Sequence, residues 1–263
     1  MGRPHNGESK RPTKEQLLYL IGQGEPNYDI AARYDVYYTT VYKWKRHYGL
    51  PMEPRGIPLP YFQLSPEEFQ LLVGGVLGDG NLELQRTSRN PTFRETKKLL
   101  HRPYLEWESY ELQRLLPSVK NETRNDGGEV ANLETRACSN LLPLRRAFYP
   151  EGKKVIPKTL MWELLPLGLA VWYMGDGSFH QQRKWAGLAT NSFTKEENEW
   201  LADDYFPRAW GVYPKLKRCM GSYERSRESW SIRFSVADTR RVVEAMAPYI
   251  VPIMSYKIGR VQT

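Results

Sequence analysis

The sequence predicts an α+β protein: a pseudo-symmetric, duplicated αββαββα unit preceded by a small all-α helix-turn-helix domain. Three observations carry this prediction. An apolar run ending in Gly-Asp-Gly occurs twice, at Leu72–Gly80 and Leu169–Gly177, with Asp79 and Asp176 97 residues apart. After each run come alternating segments that read as strands and periodic apolar segments that read as helices. Four prolines among residues 51–60 set the first fifty residues apart from the rest. The predicted divisions are a helix-turn-helix DNA-binding domain at 1–50, a linker at 51–61, and a main domain at 62–263. The halves of the main domain fall at about 62–155 and 156–263.

Residues 1–12 are polar and read as a tail. Thr13-Lys14-Glu15-Gln16 then opens a helix, with Thr13 as N-cap and Gln16 closing a capping box. Asn27–Tyr34, Asp35-Val36 and Tyr37–Tyr48 follow the spacing of a helix-turn-helix, with Ile30, Ala31, Val41 and Trp44 turned inward. Asp35 stands where this motif often has glycine. The outward residues of the second helix are then Tyr38, Thr39, Tyr42, Lys43, Lys45 and Arg46, which are groove- and phosphate-contacting types. With 9 Lys/Arg against 6 Asp/Glu in residues 1–60, this part alone is expected to bind weakly. A protein-interaction module with a solvated basic face is the bland alternative.

In the first half, strands are expected at Asn81–Arg86 (Leu82 and Leu84 sharing a face), Pro91–Lys97 and Glu129–Cys138. Helices are expected at Tyr104–Leu116 and Asn140–Phe148. In the second half the strands are Ser178–Gln182, Trp185–Thr190, Tyr213–Cys219 and Ser229–Val236. The helices there are Glu196–Trp210 and Ala237–Tyr249, the latter with Asp238 as N-cap.

Both Gly-Asp-Gly runs begin at a helix-start signal, Ser65-Pro66-Glu67-Glu68 and Pro166. Gly74, Gly75 and Gly78 each cost about 1 kcal/mol relative to Ala inside a helix. Close approach of a second helix along small residues four apart would offset that cost. Packed side by side, the two helices would bring Asp79 and Asp176 together at their C-terminal ends, where the helix dipole disfavours negative charge. A hard divalent cation such as Mg²⁺ relieves it. One Gly-Asp-Gly alone would read as a turn; the repetition favours the joint explanation.

These two runs resemble the LAGLIDADG family of homing endonucleases, with the acidic residue penultimate and glycine last. The motif's third-position glycine is Gly74 in the first copy but Val171 in the second, which also carries the bulky Trp172 and Tyr173. The resemblance covers residues 64–263 and leaves the helix-turn-helix outside it. It implies a saddle with a concave sheet face, and a single chain that cuts both DNA strands and leaves short 3′ overhangs in a long asymmetric target. Mg²⁺ is the implied cofactor, with Mn²⁺ substituting and Ca²⁺ binding without supporting cleavage. Asp79 and Asp176 would be metal ligands, completed by carbonyl oxygens such as those of Gly78 and Gly175.

Lys153-Lys154-Val155-Ile156-Pro157 and Tyr256-Lys257 close their respective halves. They resemble segments of the monomeric yeast mitochondrial intron-encoded members, in which the matching lysines are active-site residues. The resemblance carries that role to Lys154 and Lys257. Ala189-Thr190-Asn191-Ser192-Phe193-Thr194 is similar too, and Asn191 is implied to position water near a metal.

The net charge is +8 and the pI is near 9.3, with 17 Tyr and 8 Trp spread along the chain. Basic charge interleaved with aromatic residues suggests nucleic acid. A membrane surface, or charge serving only solubility, would also fit the balance. Strand residues expected to face DNA are Glu83, Gln85, Arg94, Thr96, Arg136, His180, Gln182, Lys184, Lys215, Lys217, Arg218 and Arg233, since a two-stranded ribbon fits the major groove. No apolar run is long enough to span a membrane. The first residues have no apolar signal core, and Cys138 and Cys219 have no partner at metal-ligand spacing. An intracellular setting is expected: bacterial cytoplasm or nucleoid, phage-encoded, or organellar. The sequence therefore predicts a monomeric site-specific endonuclease on double-stranded DNA. A non-catalytic binder on the same fold, an intron maturase or a transcription regulator, is the alternative.

Overall fold

A computed structural model describes residues 11–23, 25, 27–36, 38–50, 63–85, 88–219 and 229–259. The chain divides into two compact units, Met1–Ile57 and Pro58–Thr263. The stretch read as a linker, 51–61, lies outside the described residues.

The first unit has three helices: α1 (Lys14–Gly22), α2 (Asn27–Arg33) and α3 (Tyr38–His47). The capping box forms as its sequence dictates: the Gln16 amide donates to Thr13 Oγ1 at 3.2 Å and the Thr13 amide to Gln16 Oε1 at 2.9 Å. Leu17, Leu20, Ile30, Ala31, Val41, Trp44 and Leu50 make one core. Asp35 adopts φ 50° between α2 and α3, a left-handed turn that aspartate tolerates better than most residues. One expectation is corrected. Lys45 was placed on the outer face of α3 but is 1% exposed. It lies four residues after Val41 and next to Trp44, so the helical repeat carries it onto the inner stripe. Lys43 and Arg46 are exposed. The side chains of Tyr38, Thr39 and Tyr42 fall outside those described.

The second unit contains two antiparallel four-stranded sheets. The first is built from β1 (Asn81–Glu83), β2 (Thr92–Lys98), β3 (Ser118–Thr123) and β4 (Glu129–Glu134), in the order β1-β2-β4-β3. The second is built from β5 (Gly177–His180), β6 (Trp185–Leu188), β7 (Lys215–Cys219) and β8 (Ser229–Arg233), in the matching order β5-β6-β8-β7. The duplication extends to single hydrogen bonds. The Thr135 amide, just past β4, donates to the Phe93 carbonyl at 2.9 Å, and the Phe234 amide, just past β8, donates to the Ala186 carbonyl at 2.9 Å. Phe93 and Ala186 therefore occupy equivalent positions, and pseudo-symmetry holds strand by strand.

Several element boundaries differ from those predicted: α5 (Arg102–Glu111) and α6 (Leu142–Phe148) stand where helices were expected at 104–116 and 140–148, and a short α7 (Lys158–Met161) was not foreseen. β3 was not foreseen, because among its six residues only Val119 is apolar and the alternation is invisible. β1 stops at Glu83, so Leu84 is 44% exposed while Leu82 is 1% exposed. The long helix expected at 196–210 is interrupted by a π-helical turn at Leu201–Tyr205 between α9 (Lys195–Trp200) and α10 (Phe206–Trp210). Pro207 there has no N–H to give the carbonyl four residues back. The last helix, α11 (Val236–Met246), is capped by Ser235, whose Oγ accepts from the Asp238 amide at 3.1 Å; Asp238 sits inside the first turn.

Two helices run through the middle, α4 (Pro66–Leu77) and α8 (Pro166–Asp176). Their contact is as close as backbones allow. A Cβ added at Gly74 would overlap the Gly168 carbonyl oxygen and come within 2.9 Å of Val171 Cβ. One added at Gly175 would stand 3.3 Å from Gly78 Cα. Gly75, read with the seam residues, faces away from it, against the Phe93 ring. At the far end Gln70 of α4 ties the start of α8. Its Oε1 accepts from the Leu165 amide at 2.7 Å and its Nε2 donates to the Glu163 carbonyl at 2.8 Å. Clamped at one end and seamed with glycine along their length, α4 and α8 must finish together.

Candidate active site

Where α4 and α8 end, the chain gathers four charged side chains that lie far apart in sequence. Asp79 follows the cap of α4 and Asp176 is the last residue of α8. Lys154 Nζ donates to the Gly78 carbonyl at 2.9 Å, and Lys257 Nζ donates to the Gly175 carbonyl at 2.6 Å. The lysine closing each half thus bonds the glycine just before that half's own aspartate. Lys257 is held in turn by Tyr173, whose hydroxyl donates to the Lys257 carbonyl at 2.9 Å. The segment Pro252–Ile258 that carries it is a 3-10 helix.

The electrostatics follow from crowding and burial. Burial and then the neighbouring Asp79 push the Asp176 carboxyl up to about 6. Burial lowers both lysines, Lys257 to about 8 with Lys97 as a second cause, while the two aspartates pull the other way. Among the described residues no three His, Cys, Asp or Glu side chains are grouped to hold a metal ion. The donors present are two carboxylates and two carbonyl oxygens, each carbonyl keeping a second lone pair. That all-oxygen set suits a hard divalent ion that keeps several waters, as Mg²⁺ does. The residues fit the group.

One residue at this site was missed by sequence reasoning. Lys97 Nζ lies 2.7 Å from Asp79 Oδ2 and 2.7 Å from Glu95 Oε1. Its side chain is 5% exposed whereas that of Asp79 is 43% exposed. Arg94 and Thr96 were assigned to the open face of β2. Strand alternation then puts Glu95 and Lys97 on the core face, and charge at core positions is the available signal. Asn191 donates to Ser229 Oγ at 3.3 Å. That hydrogen bond is to neither aspartate and neither lysine.

The candidates for reading DNA fall into two groups. In the first sheet Arg94 is taken up by acids: Glu83 at 2.5 Å, Glu134 at 4.0 Å, and Glu122 nearby. Thr96 donates to Asn132 Oδ1 at 2.5 Å. Gln85 and Arg136 are exposed. In the second sheet, strands β5–β8 contain no acidic residue. Lys215 pairs across the ladder with Arg233, and Lys217 with Ser231. Arg233 lies over the Trp185 ring at 4.2 Å. His180 Nδ1 accepts from the Arg183 amide at 3.1 Å, and Gln182 and Lys184 are exposed in the turn that follows. Arg218 is a correction. It pairs with Trp230 between residues of the opposite parity, so it shares a face with Leu216 and Ile232 rather than with Lys217. Adjacent strand residues cannot both look outward on one face.

Two α+β repeats meeting at a glycine-lined helix pair, with an acid at the end of each helix, define a class: single-chain proteins built on two copies of one motif. Residues 69–241 match the LAGLIDADG DNA endonuclease family, and the chain belongs to that family. Its fold is that of the homing endonuclease I-WcaI bound to its DNA recognition sequence, with a TM-score of 0.67 and 21% identity over 80% of this chain and 95% of that one. It is 31% identical over 208 residues to Protein RecA of Mycobacterium shimoidei, covering 74% of this chain and 47% of that protein. The chain thus spans about half the length of such relatives. It is also 26% identical over 209 residues to the cytochrome b mRNA maturase bI2 of Debaryomyces hansenii, covering 74% of this chain and 75% of that protein. No helix among the described residues is long and apolar enough to cross a membrane.

Proposed function

We propose that the chain is a Mg²⁺-dependent, site-specific endonuclease acting as a monomer on double-stranded DNA and leaving short 3′ overhangs. The observation that carries the reading is the convergence of Asp79 and Asp176 at the ends of α4 and α8, with Lys154 and Lys257 on the adjoining carbonyls. A bound divalent cation would supply an activated water and charge relief on the leaving oxygen. Asp79 and Asp176, with the carbonyls of Gly78 and Gly175, would hold it. Lys154 and Lys257 place positive charge where the non-bridging phosphate oxygens gain negative charge. Lys257 Nζ, lowered to about 8, keeps its proton at neutral pH yet can yield it to a departing oxygen. The retained aspartates and lysines favour this over the second reading, a maturase-like or regulatory binder, for which the similarity to maturase bI2 speaks.

The test is cleavage of a duplex in which the genomic flanks of the coding element are joined, followed across pH in Mg²⁺. Asp176 must lose its proton to take a cation, so the rate rises as pH climbs through about 6. Lys257 must keep its proton, so the rate falls above about 8. Raising Mg²⁺ tenfold should move the lower arm to more acid pH, because cation and proton compete for one carboxylate. A single flat profile with no cutting in any divalent ion would sink the reading.

The second sheet is the stronger phosphate binder on this account, because its four strands carry bases and no acidic residue. Lys215→Gln with Lys217→Gln should weaken DNA binding and reduce the slope of log affinity against log salt by about two. Glu83→Gln with Glu134→Gln should strengthen binding by freeing Arg94. Residues 1–57 would add contacts through Lys43 and Arg46. Their removal should broaden the tolerated target and leave cleavage in place.

A further inference from the structure

The two halves are equivalent strand by strand, yet the surroundings of their aspartates differ. Counting from the equivalent Phe93 and Ala186, the positions of Glu95 and Lys97 are held in the second half by Leu188 and Thr190. Thr190 bonds the buried Asn198. The first half instead buries an ionised group of its own. Glu95 is 1% exposed, Lys97 6% and Glu108 0%. Lys97 also lies 5.0 Å over the Tyr104 ring.

Burying charges of this kind is costly unless they are paired. A lysine touching only Asp79 would need no second carboxylate, and an apolar neighbour such as Leu188 serves the other half. The pair Glu95–Glu108 therefore calls for an explanation. Burial raises both carboxyl groups, Glu108 much further. Lys97 and the contact with Glu108 pull Glu95 back down, whereas the contact with Glu95 raises Glu108 further, so the pair favours its proton on Glu108 and its charge on Glu95 beside Lys97.

We propose that Lys97 is the standing counter-ion of Asp79 in the cation-free protein, and that the buried Glu95–Glu108 pair is the seat that retains Lys97 when a divalent cation takes Asp79. Lys97 and Glu95 are positioning residues, and the device exists at Asp79 only. The two half-sites are then unequal: a cation must displace an ammonium group from Asp79 and displaces none from Asp176. The inference rests on the assignment of Asp79 as a metal ligand.

The test is Mn²⁺ affinity of the full chain without DNA, read from the free-ion paramagnetic resonance signal. Lys97→Met removes the competitor and should tighten binding about tenfold. Glu95→Gln leaves Lys97 with Asp79 alone and should weaken binding about tenfold. A scaffold role would move both variants the same way. Glu108→Gln, which still offers Glu95 a donor, should recover most of the affinity that Glu108→Leu loses. This arm holds even where Glu95→Gln does not fold. Same-direction shifts, or no advantage of Gln over Leu at 108, would overturn the inference while leaving the metal site intact. No Mn²⁺ bound by the parent would overturn both.

Discussion

Replacing Asp176 by Asn should abolish double-strand cleavage and at the same time make the protein harder to unfold. The loss follows from removing one of two carboxylates at the helix seam; a fall of at least about a thousandfold is expected for a group this central to charge relief. DNA binding in Ca²⁺ should persist, since the sheet faces are untouched. The gain in stability has a definite sign. The folded Asp176 has its pKa raised to about 6 from 3.8, so the folded state holds the proton more tightly than the unfolded chain. Stability is therefore lost as pH rises from about 4 through about 6, and above that the folded state carries the full cost of a buried charge. Asparagine never ionises. In metal-free buffer at pH 8 the variant should be more stable by about 1–3 kcal/mol, and the difference should vanish near pH 4. Equal cleavage by variant and parent would remove Asp176 from the metal site. Lower stability at pH 8 would show that its carboxylate is a net support of the fold.

Gly74→Ala should destabilise the second unit although alanine is the better helix former by about 1 kcal/mol. The added Cβ would overlap the Gly168 carbonyl oxygen, and backbone cannot move aside as a side chain can. A loss of about 2–4 kcal/mol is expected, with α4 and α8 forced apart. Cleavage should fall as well, since the carbonyls of Gly78 and Gly175 hang on that seam. Gly22→Ala is the matched control, because nothing lies within 4 Å of a Cβ there. If denaturation midpoints for Gly74→Ala match the parent, the seam is looser than described.

How much of this was legible in the sequence depends on whether the signal was local. The glycine-lined helices with acidic ends could be read because the penalty of glycine in a helix and of a carboxylate at its C-terminus are local facts that demand a partner. The clustering of Lys154 and Lys257 with them could not. The contact between Lys154 and Gly78 spans 76 residues, and only likeness to other proteins pointed to it. Glu95 and Lys97 were legible in principle: once Arg94 and Thr96 face outward, alternation forces the other two inward. The same alternation excluded Arg218 as a companion of Lys217, and helical periodicity excluded Lys45 from an outer face. β3 offered nothing to find, since Lys120-Asn121-Glu122-Thr123 is polar throughout and takes its place by pairing to β4. Capping was legible for α1 and α4, where Ser or Thr stands three residues before Glu or Gln. It failed for α11, where Ser235 and Asp238 compete for the role.

The most direct measurement is anomalous diffraction from crystals of the full chain soaked in Mn²⁺ at pH 8, where Asp176 is ionised. Manganese density is expected against the carboxylates of Asp79 and Asp176 at the ends of α4 and α8, and it should disappear from the Asp79→Asn, Asp176→Asn double variant. Manganese bound only elsewhere, with those two carboxylates bare, would contradict the account.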